Sequence, residues 1–172
     1  MIASTHLTAG AAVGVLSYRF LFRPHSVSGL IGALILGIFS HLLLDMIPHS
    51  EDEIYRPDGT DQYETAILSA ELALSFLAIY FCGVYGSFLT VPKKYILAGM
   101  IGGALPDVPH VVMNALKTDW RFLQAADRVN AFFHTSLHSP YFWQGFLPQI
   151  AVTAISLMTL CVLRQEMMKI TP

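Results

Sequence analysis

Apolar positions in this chain come in long unbroken runs rather than in the alternating or one-face patterns of a soluble core. Five stretches stand out, at residues 5–22, 29–47, 65–89, 95–113 and 141–163. Each is near the ~20 residues that an α-helix needs to cross a bilayer. Between positions 120 and 138 the pattern changes. There Trp120, Leu123, Ala126, Val129, Phe132, Phe133 and Leu137 recur at helical spacing among polar residues, as in an amphipathic helix lying in a membrane interface. Ser139-Pro140 follows, placing a proline in the first turn of the last stretch. The expected fold is therefore all-α: one membrane-embedded domain over residues 1–172, a bundle of about five transmembrane helices plus one interfacial helix.

Composition agrees with lipid as the main solvent. Of 172 residues, 54% are hydrophobic and 13% charged, against roughly 25% charged in soluble domains. Mean hydropathy is +0.54. A soluble helical protein with a greasy core is the competing reading, but residues 66–89 carry a single charge, Glu71. A net charge of −2 and the lack of a basic stripe with interleaved aromatics give no nucleic-acid footprint. Cys82 and Cys161 both lie in apolar stretches and read as small buried hydrophobes. The first stretch lacks the basic start and cleavage pattern of a secretory signal, so it reads as a mature helix.

Loop charge sets an expected orientation. Arg19 and Arg23, Lys93 and Lys94, and Arg164 and Lys169 mark the first loop, the third loop and the tail as cytoplasmic. The second connection carries Glu51, Asp52, Glu53, Asp58, Asp61 and Glu64 against Arg56. The fourth, with Lys117, Arg121 and Arg128, breaks the alternation. The N-terminus is then outside and the C-terminus inside a cell (inner) membrane. In that topology six of the seven histidines fall in one outer layer, and only His25 lies on the other side.

Those histidines carry the candidate chemistry. Ionisable side chains in membrane helices are costly and default to a functional reading. His41, Asp45 and His49 form a His-x3-Asp-x3-His run at the end of the second stretch. Residues four apart share a helix face, so the first two project together. Pro48 places His49 at or beyond the helix end. Imidazoles and carboxylates on one face suit zinc or a similar divalent ion. A second cluster, Gly99 to His110, holds Asp107 and His110 beside Pro106 and Pro109; the bland alternative is a proline kink with a stray acid. His134 and His138 are again four apart, and His6 opens the first helix. Either group alone could be merely interfacial. Together, His6, His41, Asp45, His49, Asp107, His110, His134 and His138 are enough ligands for one ion with supporting partners, or for two. Glu71 is a candidate general base, bridging ligand or orienting acid, and equally a hydrogen-bonded acid of the bundle. Ser40 and Ser136 lack a glycine-flanked elbow and read as packing or hydrogen-bonding residues.

Ser40-His41-Leu42-Leu43-Leu44-Asp45, Ala104-Leu105-Pro106-Asp107, the His134/His138 pair and the opening Thr5-His6-Leu7-Thr8-Ala9-Gly10 resemble motifs of the bacterial and archaeal membrane-bound metal-dependent hydrolases. The His41, Asp45, His49 run is also similar to the central helix motif of zinc-dependent phospholipases C and related zinc nucleases. Two departures stand beside these likenesses. The membrane family usually places its Pro-Asp motif before the Ser-His-x3-Asp motif, and here the order is reversed. The phospholipases use a later His-x3-Glu, where this chain has His134-x3-His138.

The resemblance implies a metal-dependent hydrolase, with zinc the first candidate and manganese the second, as one or two ions. Asp45 and Glu71 are its catalytic candidates. A site at headgroup level implies the lipid bilayer as partner and a lipid-linked substrate such as a phosphoester. Two rivals remain from the residues alone. A metal transporter would need polar residues continuing through the bundle, and only Glu71 offers one. A non-catalytic metal-binding or structural membrane subunit would use the same ligands for folding.

Overall fold

The computed structural model describes residues 3–21, 27–49, 64–85, 93–134 and 142–170. All regular elements among them are helical. In chain order they are α1 (Ala3–Leu16, extended by a π turn, Ser17–Leu21), α2 (Val27–Asp45), α3 (Glu64–Ile79, extended by a π turn, Tyr80–Val84), α4 (Lys93–Ala104), a 3-10 turn (Leu105–Asp107), α5 (Val108–Leu116), α6 (Arg121–Phe133) and α7 (Phe142–Ile170).

Three segments are long and apolar enough to cross a membrane: Val27–Asp45, Lys93–Leu116 and Trp143–Leu163. The first has 19 residues, or about 28 Å at 1.5 Å per residue. The apolar part of α3, Ser69–Val84, is shorter. Helix α1, with 14 residues, is also too short for the set, and it is the hub of the bundle. It packs on α4, α2, α7 and α3, and Thr5 to Ala12, Gly14 and Val15 are buried. A helix encased by others contacts little lipid, so its Thr, Ala and Gly residues need only pack closely. Among the described residues, three of the five expected spans are long and apolar enough to cross a membrane.

Helix α2 shows how the bundle is divided between protein and lipid. Gly29, Ala33, Gly37, His41 and Asp45 are its buried residues, each four from the next. Ile31, Ile35, Phe39 and Leu43, displaced by two positions, form an exposed bulky stripe. Without water, a hydrophobic drive between helices is missing, so close packing of small residues takes its place. The partner stripe is Gly99, Gly102 and Gly103 on α4, with Gly10 and Gly14 on α1. A Cβ at Gly10 or Gly37 would overlap the Gly99 carbonyl, and one at Gly102 would overlap the Leu34 carbonyl. Backbone thus meets backbone where α1, α2 and α4 join. The apolar core lies beside this seam, with Leu7, Ala11 and Val15 of α1 against Ile79, Ile96, Met100 and Leu160.

Proline breaks the long segment after α4. Pro106 and Pro109 bracket the 3-10 turn and the start of α5, because neither can donate to the preceding turn. Helix α6 is amphipathic, with Leu123 and Asn130 buried and Phe122, Val129 and Phe132 exposed. It ends at Phe133, earlier than the expected run to position 138. His134 has extended backbone, φ −74° and ψ 119°, so it lies beyond the end of the helix. Cys82 and Cys161 are half-buried in their helices, and neither is in a disulfide.

Candidate metal centre

The site forms where five elements meet at one end of the bundle. The α2 stripe of small residues continues into His41 and Asp45, so the packing that seats Gly37 on α4 also drives these two side chains inward. His6 arrives on the first turns of α1, across the same glycine seam: a Cβ at Gly103 would collide with the His6 carbonyl. Asp107 comes from the 3-10 turn, and Asn130 and His134 from the end of α6. His6, His41, Asp45 and His49 are essentially inaccessible.

His41 is the best-defined member. Its Nδ1 lies 2.7 Å from the carbonyl oxygen of Gly103, an atom that can only accept, so Nδ1–H donates. The tautomer is thereby set, and neutral His41 presents its Nε2 lone pair. That nitrogen faces Asp45 Oδ2 at 3.0 Å, Asp107 Oδ1 at 3.4 Å and Asn130 Oδ1 at 3.1 Å. The Asn130 amide is itself oriented, because its Nδ2 donates to Asp107 Oδ1 at 3.0 Å. Four lone-pair atoms therefore converge, and such a set is complementary to a cation. A proton on Nε2 would answer the same need at one atom, but would put a positive ring 3.8 Å from the stacked His6 ring.

His6 points the same way. Its Nε2 lies 3.0 Å from Asp45 Oδ1 without the alignment of a hydrogen bond, and Nδ1 also makes none among the described residues. Buried polar atoms without partners cost ~1–3 kcal/mol each. An ion held by His6 would satisfy a nitrogen that the protein alone does not.

The outer side of Asp45 carries a second group. His134 Nδ1 lies 3.6 Å from Asp45 Oδ2, and the His49 and His134 rings meet edge to face at 4.8 Å. His49 Nδ1–H donates to the Ile47 carbonyl at 2.6 Å, which leaves Nε2 as its ligating nitrogen. Metal-binding histidines commonly donate their other N–H to a carbonyl in this way, and His41 and His49 both do. Two donor sets result, His6–His41–Asp45 and Asp45–His49–His134, each with ligand atoms within 4.8 Å of one another. Either could hold a divalent ion. The side chains of Asp107 and His134 are 43% and 32% exposed, so the centre opens on that side.

Of the residues singled out in the sequence, the structure brings His6, His41, Asp45, His49 and His134 into these sets, with Asp107 at their edge. His110 is elsewhere: its ring bridges Asp127 (3.3 Å) and Asn114 (2.9 Å) on the exposed side of α5 and α6. Glu71 also stands apart from both donor sets. Its Oε1 accepts the Ser4 amide at 2.6 Å, holding the first turn of α1. Ser40 donates to the Gly37 carbonyl at 2.7 Å, as a packing residue does. His138 and Ser136 lie outside the described residues. Asn130 was not legible beforehand, since an asparagine on an amphipathic helix carries no motif. The four-residue spacing from Gly29 to Asp45 was the signal available for the inward face of α2.

Comparison with known protein families, with characterised proteins and with solved structures found no match to this chain.

Proposed function

We propose that this protein is a membrane-embedded, metal-dependent hydrolase whose centre lies at the extracytoplasmic face of a five-span bundle. The observation that carries the reading is the convergence of lone pairs from His41, Asp45, Asp107 and Asn130 beside an unsatisfied, buried His6. Zinc suits this mixture of imidazole and carboxylate, and manganese is the second choice. A divalent ion in such a site supplies Lewis acidity and lowers the pKa of a bound water. The chain's own groups do the rest. His6, His41 and Asp45 bind, Gly103 fixes the His41 ring, and Asn130 orients Asp107 at the open side. Asp107, partly exposed, is the better-placed group to accept a proton from an entering water, in place of Glu71.

A centre at the end of apolar helices, with the exposed Val129 and Phe132 flanking Asn130 on α6, suits a substrate whose tail remains in lipid and whose phosphoester reaches the headgroup layer. The test uses zinc-loaded protein in mixed micelles with a phospholipid and a chromogenic phosphodiester. Turnover that chelation abolishes and zinc restores is expected, with Asp45→Asn at least 100-fold slower.

A structural metal subunit is the second reading, favoured by the deep burial of His6, His41 and Asp45, since structural sites are closed and catalytic ones keep an open position. Metal-loaded, folded protein with no turnover on any ester class would move the assignment there.

A further inference from the structure

We infer that the centre takes two divalent cations, bridged by the Asp45 carboxylate: a closed inner one on His6 and His41, and an exchangeable outer one on His49 and His134. The inference deepens the metal-centre reading above and rests on it. Its basis is how the donors divide. They fall into two sets that share only Asp45, whose Oδ1 faces His6 at 3.0 Å while Oδ2 lies between the two sets, 3.0 Å from His41 and 3.6 Å from His134. Donors to a single zinc lie about 2.0–2.2 Å from it, so no two can be much more than ~4.4 Å apart. One ion therefore accounts for one set and leaves the other without a purpose. A carboxylate spanning both sets supplies a ligand to each ion and offsets part of their mutual repulsion.

The two positions differ in access, and this sets their exchange behaviour. The inner histidines are buried beneath the glycine seam, and the His41 ring is locked by Gly103. At the outer position His49 is buried, but His134 is one-third exposed and follows the end of α6 on extended backbone. The outer ion can thus leave without disturbing α1, α2 or α4, whereas the inner ion cannot. Sequential loading follows, with the inner site filled first.

The experiment is metal titration of the full chain, stripped by chelation in detergent, with Mn2+ alone as the probe. Bound equivalents are read by elemental mass spectrometry after dialysis and the spin state by electron paramagnetic resonance. Two equivalents with a spin-coupled signal are expected for the unaltered protein. His134→Ala should hold one equivalent and give the signal of an isolated ion. His49→Ala provides a second route to the same outcome, and an unchanged helical circular dichroism spectrum shows that either variant is folded. One equivalent in the unaltered protein, unchanged by His134→Ala, overturns the two-ion assignment and leaves a single metal centre standing. No bound manganese or zinc overturns both. Because stoichiometry is read without turnover, a failure to hydrolyse esters bears on the hydrolase reading alone.

Discussion

Asn130 is the residue whose role the local chemistry defines most sharply. Its amide spans His41 and Asp107, with Oδ1 3.1 Å from the His41 Nε2 and Nδ2 donating to Asp107 at 3.0 Å. Asn130→Ala removes the group that aims Asp107 and one of the oxygens facing His41. Metal affinity is expected to fall about 10–100-fold, as for other partners that orient ligands, with the helical content unchanged; competition against a chromophoric chelator measures it. Glu71 tests a different kind of contact. Its carboxylate holds the Ser4 amide, and hydrogen bonds to charged groups contribute about 1.5–3 kcal/mol. Glu71→Ala should therefore lower stability in a detergent-unfolding titration by roughly that amount. Unaltered stability together with lost turnover would instead return Glu71 to a catalytic role. The His-x3-Asp run was readable because two side chains one turn apart must share a face. Partners that come from other helices, such as Gly103 and Asn130, have no such local mark.

At the level of elements, the glycine seam decides where the ligands go. Gly99 faces the Gly10 carbonyl so closely that a Cβ would overlap it, whereas a Cβ at Gly83 would meet only side-chain atoms of Ile96 and Leu160 at ordinary contact distances. Gly99→Ala should destabilise the bundle by about 1–3 kcal/mol, the range for overpacking, and displace His6 from Asp45. Gly83→Ala should be close to neutral. Thermal unfolding of the two variants side by side checks this, and equal effects would contradict the seam. Lys117 offers a gain in the other direction. It terminates α5 in left-handed backbone, φ 47°, where its N–H reaches the Met113 carbonyl. Glycine is preferred at such a position, so Lys117→Gly should stabilise by about 1 kcal/mol in the same assay.

Helix boundaries show where the apolar pattern informs and where it does not. The α2 run and the apolar part of the final helix, Trp143–Leu163, lie close to their expected positions because each is apolar for most of its length, although the final helix continues to Ile170. Helix α1 is anchored by packing instead, so its hydropathy says little about its depth. The end of α6 depends on His134 turning toward Asp45, a tertiary contact that no periodicity in residues 120–138 encodes.

For the whole molecule, the arrangement inverts the usual economy of a soluble fold. Bulky apolar side chains such as Ile35, Phe39 and Leu43 are exposed, while small and ligating residues face inward. Beside its apolar core the bundle also encloses histidines and an aspartate. That is a costly use of a membrane interior unless the polar cluster has a counter-charge. The claim at the centre is accordingly that a divalent ion completes this molecule. The most direct measurement is the metal content of the protein purified in detergent, alongside His41→Ala and Asp45→Asn variants shown to be folded. Zinc or manganese bound at one equivalent or more, and reduced in both variants, is the predicted result. A metal-free protein that stays metal-free after reconstitution, with the same helical content and stability, would contradict it.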